Sequence, residues 1–195
     1  FCAPQQIASE CLQLIQMFQE TYSLFQFKSV RIALSLRPEK RVGSDEIWNR
    51  SEADLEAVLR QMGLTYESKP GEGAFYGPKI DFVVLDAMRR GWQLATIQLD
   101  FSMPGLLGAE FVAEDGVRKT PVMIHRAILG SLERFIGILI EDTEGKLPPW
   151  LAPVQVILLN ISPKQHEYLA KLEKHLKNKG VRVESDLRNE KIGYK

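Results

Sequence analysis

The residues with the clearest chemical potential lie in a glycine-rich segment at residues 71–79, which reads GEGAFYGPK. Its glycines and Pro78 enclose the phenol of Tyr76, and the ammonium of Lys79 follows. Composition alone favours a plain hairpin loop, because glycine and proline are the residues that turns require. The functional alternative is a flexible rim that brings a hydroxyl and an ammonium to an anionic ligand.

Two amides and a histidine are further candidates. Gln93 and Gln98 lie on a largely apolar predicted strand. Their amides are either hydrogen-bonded inside the protein or serve as contacts that select a ligand. Strict alternation places them on opposite faces, so they share a site only if the strand bends or bulges between them. His125 stands at a predicted strand-to-helix junction, where an active-site residue could sit. A lone histidine is nevertheless more often a structural residue than a metal ligand.

A helix is predicted over residues 127–142. Ala127, Gly130, Ser131 and Arg134 follow one another at offsets of three and four, which gives one face of small residues ending in a guanidinium. The apolar side chains of the opposite face are Leu129, Leu132, Ile136 and Leu139. Because a glycine inside a helix costs about 1 kcal/mol relative to alanine, the bare face indicates that a flat group approaches it closely.

The other elements position these residues in a sheet. Apolar periodicity predicts helices at 4–26 and 44–62 and strands at 29–36, 65–68, 79–85, 93–101 and 122–124. The separators between the four strands after residue 64 are short, which favours antiparallel neighbours among them. Residues 143–153 are the best linker. After them, a strand at 154–159, a helix at 163–179 and a strand at 181–184 predict a β-helix-β unit with a buried first strand, as in an α/β sheet.

Composition limits the function classes. The chain has 195 residues with 25 Lys+Arg and 25 Asp+Glu, a formal net charge of zero, and no apolar run long enough to span a membrane. Neutrality removes the general basic field of a nucleic-acid binder, so any RNA contact must be local. Cys2 and Cys11 form neither a disulfide framework nor a zinc knuckle, which favours a reducing, cytoplasmic setting. The chain ends suggest a piece of a longer protein.

Five strings are specific enough to indicate a family. They are LRPEKRVGSDE at 36–46, GEGAFYGPKIDF at 71–82, TIQLDF at 96–101, PVMIHRAILGSLERFIGIL at 121–139 and DLRNEKIGYK at 186–195. In order and spacing they closely resemble the bacterial-type threonyl-tRNA synthetase family. GSLERF, within residues 122–140, looks like the third signature motif of class II synthetases, in which arginine stacks on or pairs with ATP.

The resemblance implies a fold. It predicts a mixed α/β chain whose residues 1–147 are part of an α+β catalytic domain, with an antiparallel six-stranded sheet flanked by helices. Residues 148–195 would begin an α/β anticodon-binding domain. The periodicity of the two halves agrees with this expectation.

The resemblance also implies roles for single residues. Arg134 would bind ATP, with Gln93 and Ser131 lining the nucleotide pocket. Lys79 would lie near the carboxylate and α-phosphate, where charge develops during adenylation. The implied threonine contacts are Tyr76 and Gln98, the implied zinc ligand is His125, one of three, and a possible anticodon contact is Asn189.

The implied cofactors and partners are zinc, ATP with magnesium, threonine, tRNA(Thr) and a second copy of the chain. Zinc makes physical sense, because an apolar pocket separates threonine from valine by only about a hundredfold, whereas a site that must engage a hydroxyl rejects its absence by roughly ten-thousandfold. The second motif, with its ATP-binding arginine, the other two zinc ligands and the first motif, which builds the dimer interface, are expected upstream of Phe1. This chain therefore carries about half of a catalytic site and is not expected to aminoacylate alone.

Two other hypotheses stay open at this stage. One is a synthetase-derived paralogue that binds a nucleotide, an amino acid or RNA without ligase activity. The other is a related class II ligase for another small amino acid. The presence of Arg134, Gln98, Tyr76 and His125 argues against the non-catalytic paralogue.

Overall fold

The computed structural model of the protein describes residues 1–27 and 29–194. Lys195, the last residue of the predicted DLRNEKIGYK element, lies outside them. The chain divides into two compact units, one ending at Asp142 and one beginning at Thr143. The predicted division between residues 147 and 148 stays a prediction.

Within its described residues the first unit contains four α-helices, the last of which extends one residue past Asp142, and seven strands. In chain order they are α1 (Ile7–Leu24), β1 (Val30–Ser35), α2 (Asp45–Gln61), β2 (Glu67–Lys69), β3 (Lys79–Leu85), β4 (Gly91–Asp100), α3 (Met103–Leu106), β5 (Phe111–Val112), β6 (Arg118–Lys119), β7 (Met123–Ala127) and α4 (Leu132–Thr143). The main sheet has the order β2-β1-β3-β4-β7, and β5 and β6 form a separate hairpin. Five strands are thus present in the described part of the sheet, where the resemblance implies six.

Neighbouring strands of the main sheet are antiparallel, as predicted, with one exception. β2 pairs with β1 in parallel. The prediction concerned the strands after residue 64 and did not include this pair, in which the chain reaches β2 from β1 through α2. A parallel pair needs such a long crossover connection.

One face of the sheet is apolar and packs against the helices. Ile80, Phe82 and Val84 alternate along β3, and all three are buried. The ring of Phe18 on α1 meets that of Phe82 edge-on, with centroids 5.2 Å apart. The opposite face carries the polar residues of β3 and β4. The hydrophobic core therefore packs against one side of the sheet, and the polar side chains line the other.

The predicted boundaries of α2 are confirmed, including the N-cap at Ser44, whose hydroxyl accepts a hydrogen bond from the amide of Ile47. The prediction for α4 was wrong at its start. Ala127 is still in β7, where it pairs with Thr96, and Gly130 has a φ of +64°. The residues between Ala127 and Leu132 form bends rather than a helix, so Gly130 and Ser131 do not share a helical face with Arg134.

The buried side of α4 also differs from the prediction. Phe135, Ile138 and Leu139 are buried, whereas Leu132 and Ile136 are exposed. Phe135, which the prediction left off the apolar face, packs edge-on against the rings of Phe25 and Phe27, and this contact turns its side of α4 towards the core.

The second unit contains the predicted β-helix-β arrangement. β8 (Val156–Leu159) and β9 (Val183–Asp186) are parallel neighbours, and α5 (His166–Asn178) connects them. The first strand is not buried on both faces as expected, since the Ile157 side of β8 is exposed. Among residues 1–27 and 29–194, no helix is both long and apolar enough to cross a membrane.

Candidate active site

A β-bulge brings the two glutamines to the same face of the sheet. Along β3, Phe82 pairs with Ala95 and the next residue, Val83, pairs with Gln93. Leu94 therefore has no partner in β3 and is the extra residue of the bulge. The Gln93 amide Nε2 donates to Asp81 Oδ1 at 2.6 Å and to Thr96 Oγ1 at 2.6 Å. The condition set by the sequence, a bulge between Gln93 and Gln98, is therefore met.

Three of the predicted site residues meet around Gln98. In the sheet register, Gln98 lies opposite Lys79 on β3 and opposite His125 on β7. The Tyr76 hydroxyl donates to Gln98 Oε1 at 3.1 Å, and the Tyr76 ring lies 6.0 Å from the His125 ring, measured between centroids. Residues from a loop and two strands thus present a phenol, an amide and an imidazole together.

The glycine-rich segment is held close against β4. A Cβ atom added to Gly77 would lie 1.8 Å from the carbonyl oxygen of Leu99, a distance that no side chain can tolerate. The amide of Leu99 also donates to the carbonyl of Pro78 at 3.1 Å. The segment is therefore a rim that depends on Gly77 and that places Tyr76 over Gln98.

Lys79 and Gln93 share a carboxylate that sequence reasoning missed. Asp81 is buried, and its Oδ2 lies 2.7 Å from Lys79 Nζ, while its Oδ1 accepts the hydrogen bonds of Gln93 and Thr96. Asp81 therefore links the predicted catalytic lysine to the predicted nucleotide-pocket glutamine. Alternation along β3 was the available signal, because Lys79 and Asp81 are two residues apart.

A second missed carboxylate contacts His125. Its Nε2 lies 2.9 Å from Asp100 Oδ2, and Asp100 Oδ1 accepts from the amides of Ser102 and Met103, each at 2.9 Å. Burial raises the pKa of the Asp100 carboxyl, but these hydrogen bonds together outweigh burial and hold its pKa below the ordinary value. Asp100 is consequently ionised at neutral pH.

The implied zinc ion can be tested against these residues. The described residues contain no group of three His, Cys, Asp or Glu side chains able to hold a metal ion. His125 nevertheless fits one ligand position, because a metal-binding histidine characteristically gives its other ring nitrogen to a carboxylate. The structure thus fits a single zinc ligand with its supporting carboxylate, and a complete site needs ligands from outside the described residues.

Arg134 is held at the bulge. Its Nη1 donates to the carbonyl of Gln93 at 3.0 Å, and its Cζ lies 5.8 Å from the centroid of the Trp92 ring. Ser131 precedes the first turn of α4, and its hydroxyl accepts a hydrogen bond from the Arg134 amide at 3.2 Å. The Gln93 carbonyl at the bulge and the Ser131 hydroxyl before α4 thus both bind Arg134, whose side chain remains exposed.

The Trp92 ring is itself fixed by a buried carboxylate. Asp86 Oδ2 accepts from Trp92 Nε1 at 2.8 Å and from Arg90 Nε at 2.6 Å. Burial raises the pKa of Asp86, but the hydrogen bonds from Trp92 and Arg90 outweigh it and bring the pKa down to about 2. Sequence reasoning missed this pair, since nothing in the spacing of Asp86 and Trp92 indicated contact.

Asn189 lies in the second unit, exposed, three residues after the end of β9. The neighbouring Arg188 pairs with Asp186, with Nη2 and Oδ2 2.7 Å apart. Its predicted anticodon contact stays a prediction.

Comparisons with known proteins identify the class to which this fold and site belong. Residues 1–143 match the family model described as the tRNA synthetase class II core domain (G, H, P, S and T), and residues 154–195 match the one described as an anticodon binding domain. The chain belongs to the class II tRNA synthetase core family.

Individual relatives agree with this assignment. Over its full length the chain is 57% identical to a threonine–tRNA ligase of Alkalilimnicola ehrlichii, and it covers 30% of that protein. It is 58% identical to a threonine–tRNA ligase of Saccharophagus degradans, of which it covers 31%. A crystal structure described as the RNA binding domain of threonyl-tRNA synthetase from Cryptosporidium parvum superposes with a TM-score of 0.94 at 38% identity, covering all of this chain and 49% of that one. The chain thus spans about a third of the length of these curated relatives, and its resemblance to threonyl-tRNA synthetases is confirmed.

Proposed function

We propose that the polypeptide containing this chain is a threonine–tRNA ligase, which joins threonine and ATP into threonyl-adenylate with release of pyrophosphate and then transfers the threonyl group to the terminal ribose of tRNA(Thr). The observation that carries the proposal is the meeting of Tyr76, Gln98 and His125 on one face of the sheet. Relatives at 57% and 58% identity bear the same name.

Threonine is proposed to bind at the rim. The Tyr76 hydroxyl and the Gln98 amide, already hydrogen-bonded to each other, would orient the amino acid, while His125 would contribute one ligand to a zinc ion. When bound, zinc would supply a Lewis-acidic centre that holds the amino and hydroxyl groups of threonine. A site that demands a hydroxyl rejects valine far more strongly than an apolar pocket does.

ATP is proposed to bind beside the bulge. Arg134 is exposed and held by the Gln93 carbonyl, so its remaining guanidinium donors can meet a nucleotide, and Gln93 and Ser131 would line the same pocket. Class II synthetases use ATP with magnesium, and the same is proposed here. Lys79 would stand where the α-phosphate and carboxylate meet, and its ion pair with Asp81 would hold the ammonium in place.

In this proposal the nucleophile is the threonine itself, and the described side chains act by binding and orienting. The carboxylate of threonine attacks the α-phosphorus of ATP, the bond to the pyrophosphate oxygen breaks, and pyrophosphate leaves. Lys79 and Arg134 would lower the barrier by orienting the reactants and neutralising the charge that develops on the phosphate oxygens.

The second unit is proposed to take part in binding the tRNA anticodon, with Asn189 as a candidate contact. The family match over residues 154–195 supports this part of the proposal. A homodimer and a cytoplasmic location belong to the same proposal. The location is consistent with two free cysteines, Cys2 and Cys11, in place of a disulfide.

Threonine-dependent exchange of pyrophosphate into ATP, measured with the full-length polypeptide loaded with zinc, tests the proposal. Exchange with threonine and not with valine is expected. Absence of exchange would refute the ligase and favour the non-catalytic paralogue, whereas exchange driven by a different small amino acid would identify a related ligase.

Replacing His125 by alanine in the full-length polypeptide is expected to lower zinc content and threonine activation together. His175→Ala, an exposed histidine of α5, is the matched control and is expected to change neither. A His125→Ala protein with wild-type zinc stoichiometry would remove His125 from the ligand set.

A further inference from the structure

The carboxylate that contacts His125 points to a role beyond the site residues already assigned. We propose that Asp100 is a positioning residue that fixes the imidazole of His125 with its proton on Nε2, so that Nδ1 presents its lone pair to the metal. This inference rests on the proposed function, because it concerns the same zinc ligand.

Asp100 is itself held in place. It is the last residue of β4, its side chain is 3% exposed, and one oxygen, Oδ1, accepts from the backbone amides of Ser102 and Met103 at the start of α3. These two contacts fix the carboxylate plane and leave Oδ2 directed at His125 Nε2, at 2.9 Å. The acceptor therefore has one defined position and is not a mobile surface charge.

The chemistry of the pair sets the tautomer of His125. Oδ1 of Asp100 is occupied as an acceptor of two backbone amides and Oδ2 offers a lone pair to His125 at 2.9 Å, so the contact assigns the proton to Nε2. A neutral imidazole with its proton on Nε2 has its lone pair on Nδ1, and a metal can bind only there. The two ring nitrogens point in diverging directions, so the nitrogen that is not held by Asp100 faces away from the carboxylate.

The register of the sheet places this arrangement beside the threonine contacts. Gln98 and Asp100 are two residues apart on β4 and share a face, and His125 lies opposite Gln98. The side chain of His125 is 42% exposed, whereas that of Asp100 is almost fully covered. The pair thus has a buried carboxylate that orients the ring and a partly exposed ring, whose centroid lies 6.0 Å from that of Tyr76.

Asp100 could instead serve only to cap the turn into α3, and Asp100→Asn separates the two roles. The asparagine oxygen can still accept from Ser102 and Met103, so the cap and the shape are kept. Its amide nitrogen now replaces Oδ2 and would donate to His125 Nε2, which forces the proton onto Nδ1 and blocks metal binding there. Loss of such a supporting contact typically lowers metal affinity about 10- to 100-fold.

The test measures the zinc dissociation constant of the full-length polypeptide by competition with a chromogenic chelator. Asp100→Asn is expected to weaken zinc binding about 10- to 100-fold. The control Asp115→Asn, in which an exposed aspartate accepts from the Val117 amide in another turn, is expected to bind zinc as the wild type does. The zinc-free Asp100→Asn protein is expected to keep a cooperative urea transition because the cap is retained, with a lower midpoint because the contact between the carboxylate and His125 is lost.

A double-mutant cycle distinguishes positioning from general damage. In a His125→Ala background, Asp100→Asn is expected to cause no further loss of zinc affinity, because the group that it positions is gone. A further loss of equal size, or an Asp100→Asn protein that binds zinc within twofold of wild type, would overturn the inference. A wild-type protein that binds zinc but activates no threonine would refute the proposed function while leaving the role of Asp100 intact.

Discussion

Gly77→Ala is the most severe single change that the structure predicts for the rim. The added Cβ would lie 1.8 Å from the Leu99 carbonyl oxygen and 2.7 Å from its carbon, and contacts under 3.0 Å are essentially never seen. The segment must therefore retreat from β4 by at least about 1.2 Å, the difference between these two limits. Because Leu99 belongs to a central strand bonded on both sides, the displacement falls on the rim rather than on the sheet.

This displacement removes contacts that place Tyr76. The hydrogen bond from the Leu99 amide to Pro78 and that from Tyr76 to Gln98 are both lost or lengthened. Two such bonds plus local strain correspond to about 2–4 kcal/mol of unfolding free energy. A misplacement of about 1 Å at a binding group can cost about 100-fold in rate, so kcat/KM for threonine in pyrophosphate exchange is expected to fall by that order.

Gly137→Ala is the matched control for Gly77→Ala. Gly137 lies inside α4, and a Cβ added there meets nothing within 4 Å. Alanine is expected to stabilise the helix by up to about 1 kcal/mol and to leave kcat/KM unchanged. The reasoning would be refuted if the Gly77→Ala enzyme kept the urea unfolding midpoint and the threonine kcat/KM of the wild type.

Three further substitutions follow from the geometry. Gly130→Ala is expected to lower the free energy of unfolding of the full-length protein in urea by about 1–2 kcal/mol. The φ of Gly130 is +64°, and an added Cβ would lie 3.3 Å from the Leu94 carbonyl oxygen. A gain in stability would instead indicate that Gly130 is helical. Asp86 has a folded-state pKa of about 2, below its ordinary 3.8, so its stabilising contribution is complete above about pH 4 and is lost as the pH falls towards 2. Asp86→Asn should therefore flatten the loss of stability over that range, and an unchanged acid limb would contradict the assignment. Trp92→Leu removes the ring beside Arg134 and with it a cation–π contact of about 1 kcal/mol. The KM for ATP should rise about fivefold, and the KM for threonine should not change. Equal changes in the two KM values would refute a role confined to the nucleotide.

The sequence predicted best those elements whose signals are local. Ser44, the acidic residues after it and Gly63 define the ends of α2 through capping chemistry, which depends only on neighbouring residues. The start of α4 was mispredicted because spacings of three and four among small residues fit both a helix and an irregular turn. What decides the matter is the pairing of Ala127 with Thr96, a contact 31 positions apart that no local pattern encodes.

The site shows the same division. Tyr76, Gln98 and His125 were found through their motifs, and the sheet register brings them together. Asp81 and Asp100, in contrast, were overlooked although each stands two residues after a chosen residue, Lys79 and Gln98 respectively. Alternation indicated that they share a face, but only the structure shows that their carboxylates are the partners of the predicted lysine and histidine.

The extra residue Leu94 makes β4 two half-strands that are out of phase with each other. Gln93 and Gln98 are five positions apart, an odd spacing that a regular strand would send to opposite sides. The extra residue compensates for that odd spacing, because the Gln93 amide still reaches Asp81 Oδ1 at 2.6 Å. Deleting Leu94 would shorten the spacing to four, an even number that keeps both glutamines on one face of a regular strand. The bulge is therefore tied to the length of β4, and a one-residue gap at position 94 of a homologue would mark a regular strand that presents the same two amides without a bulge.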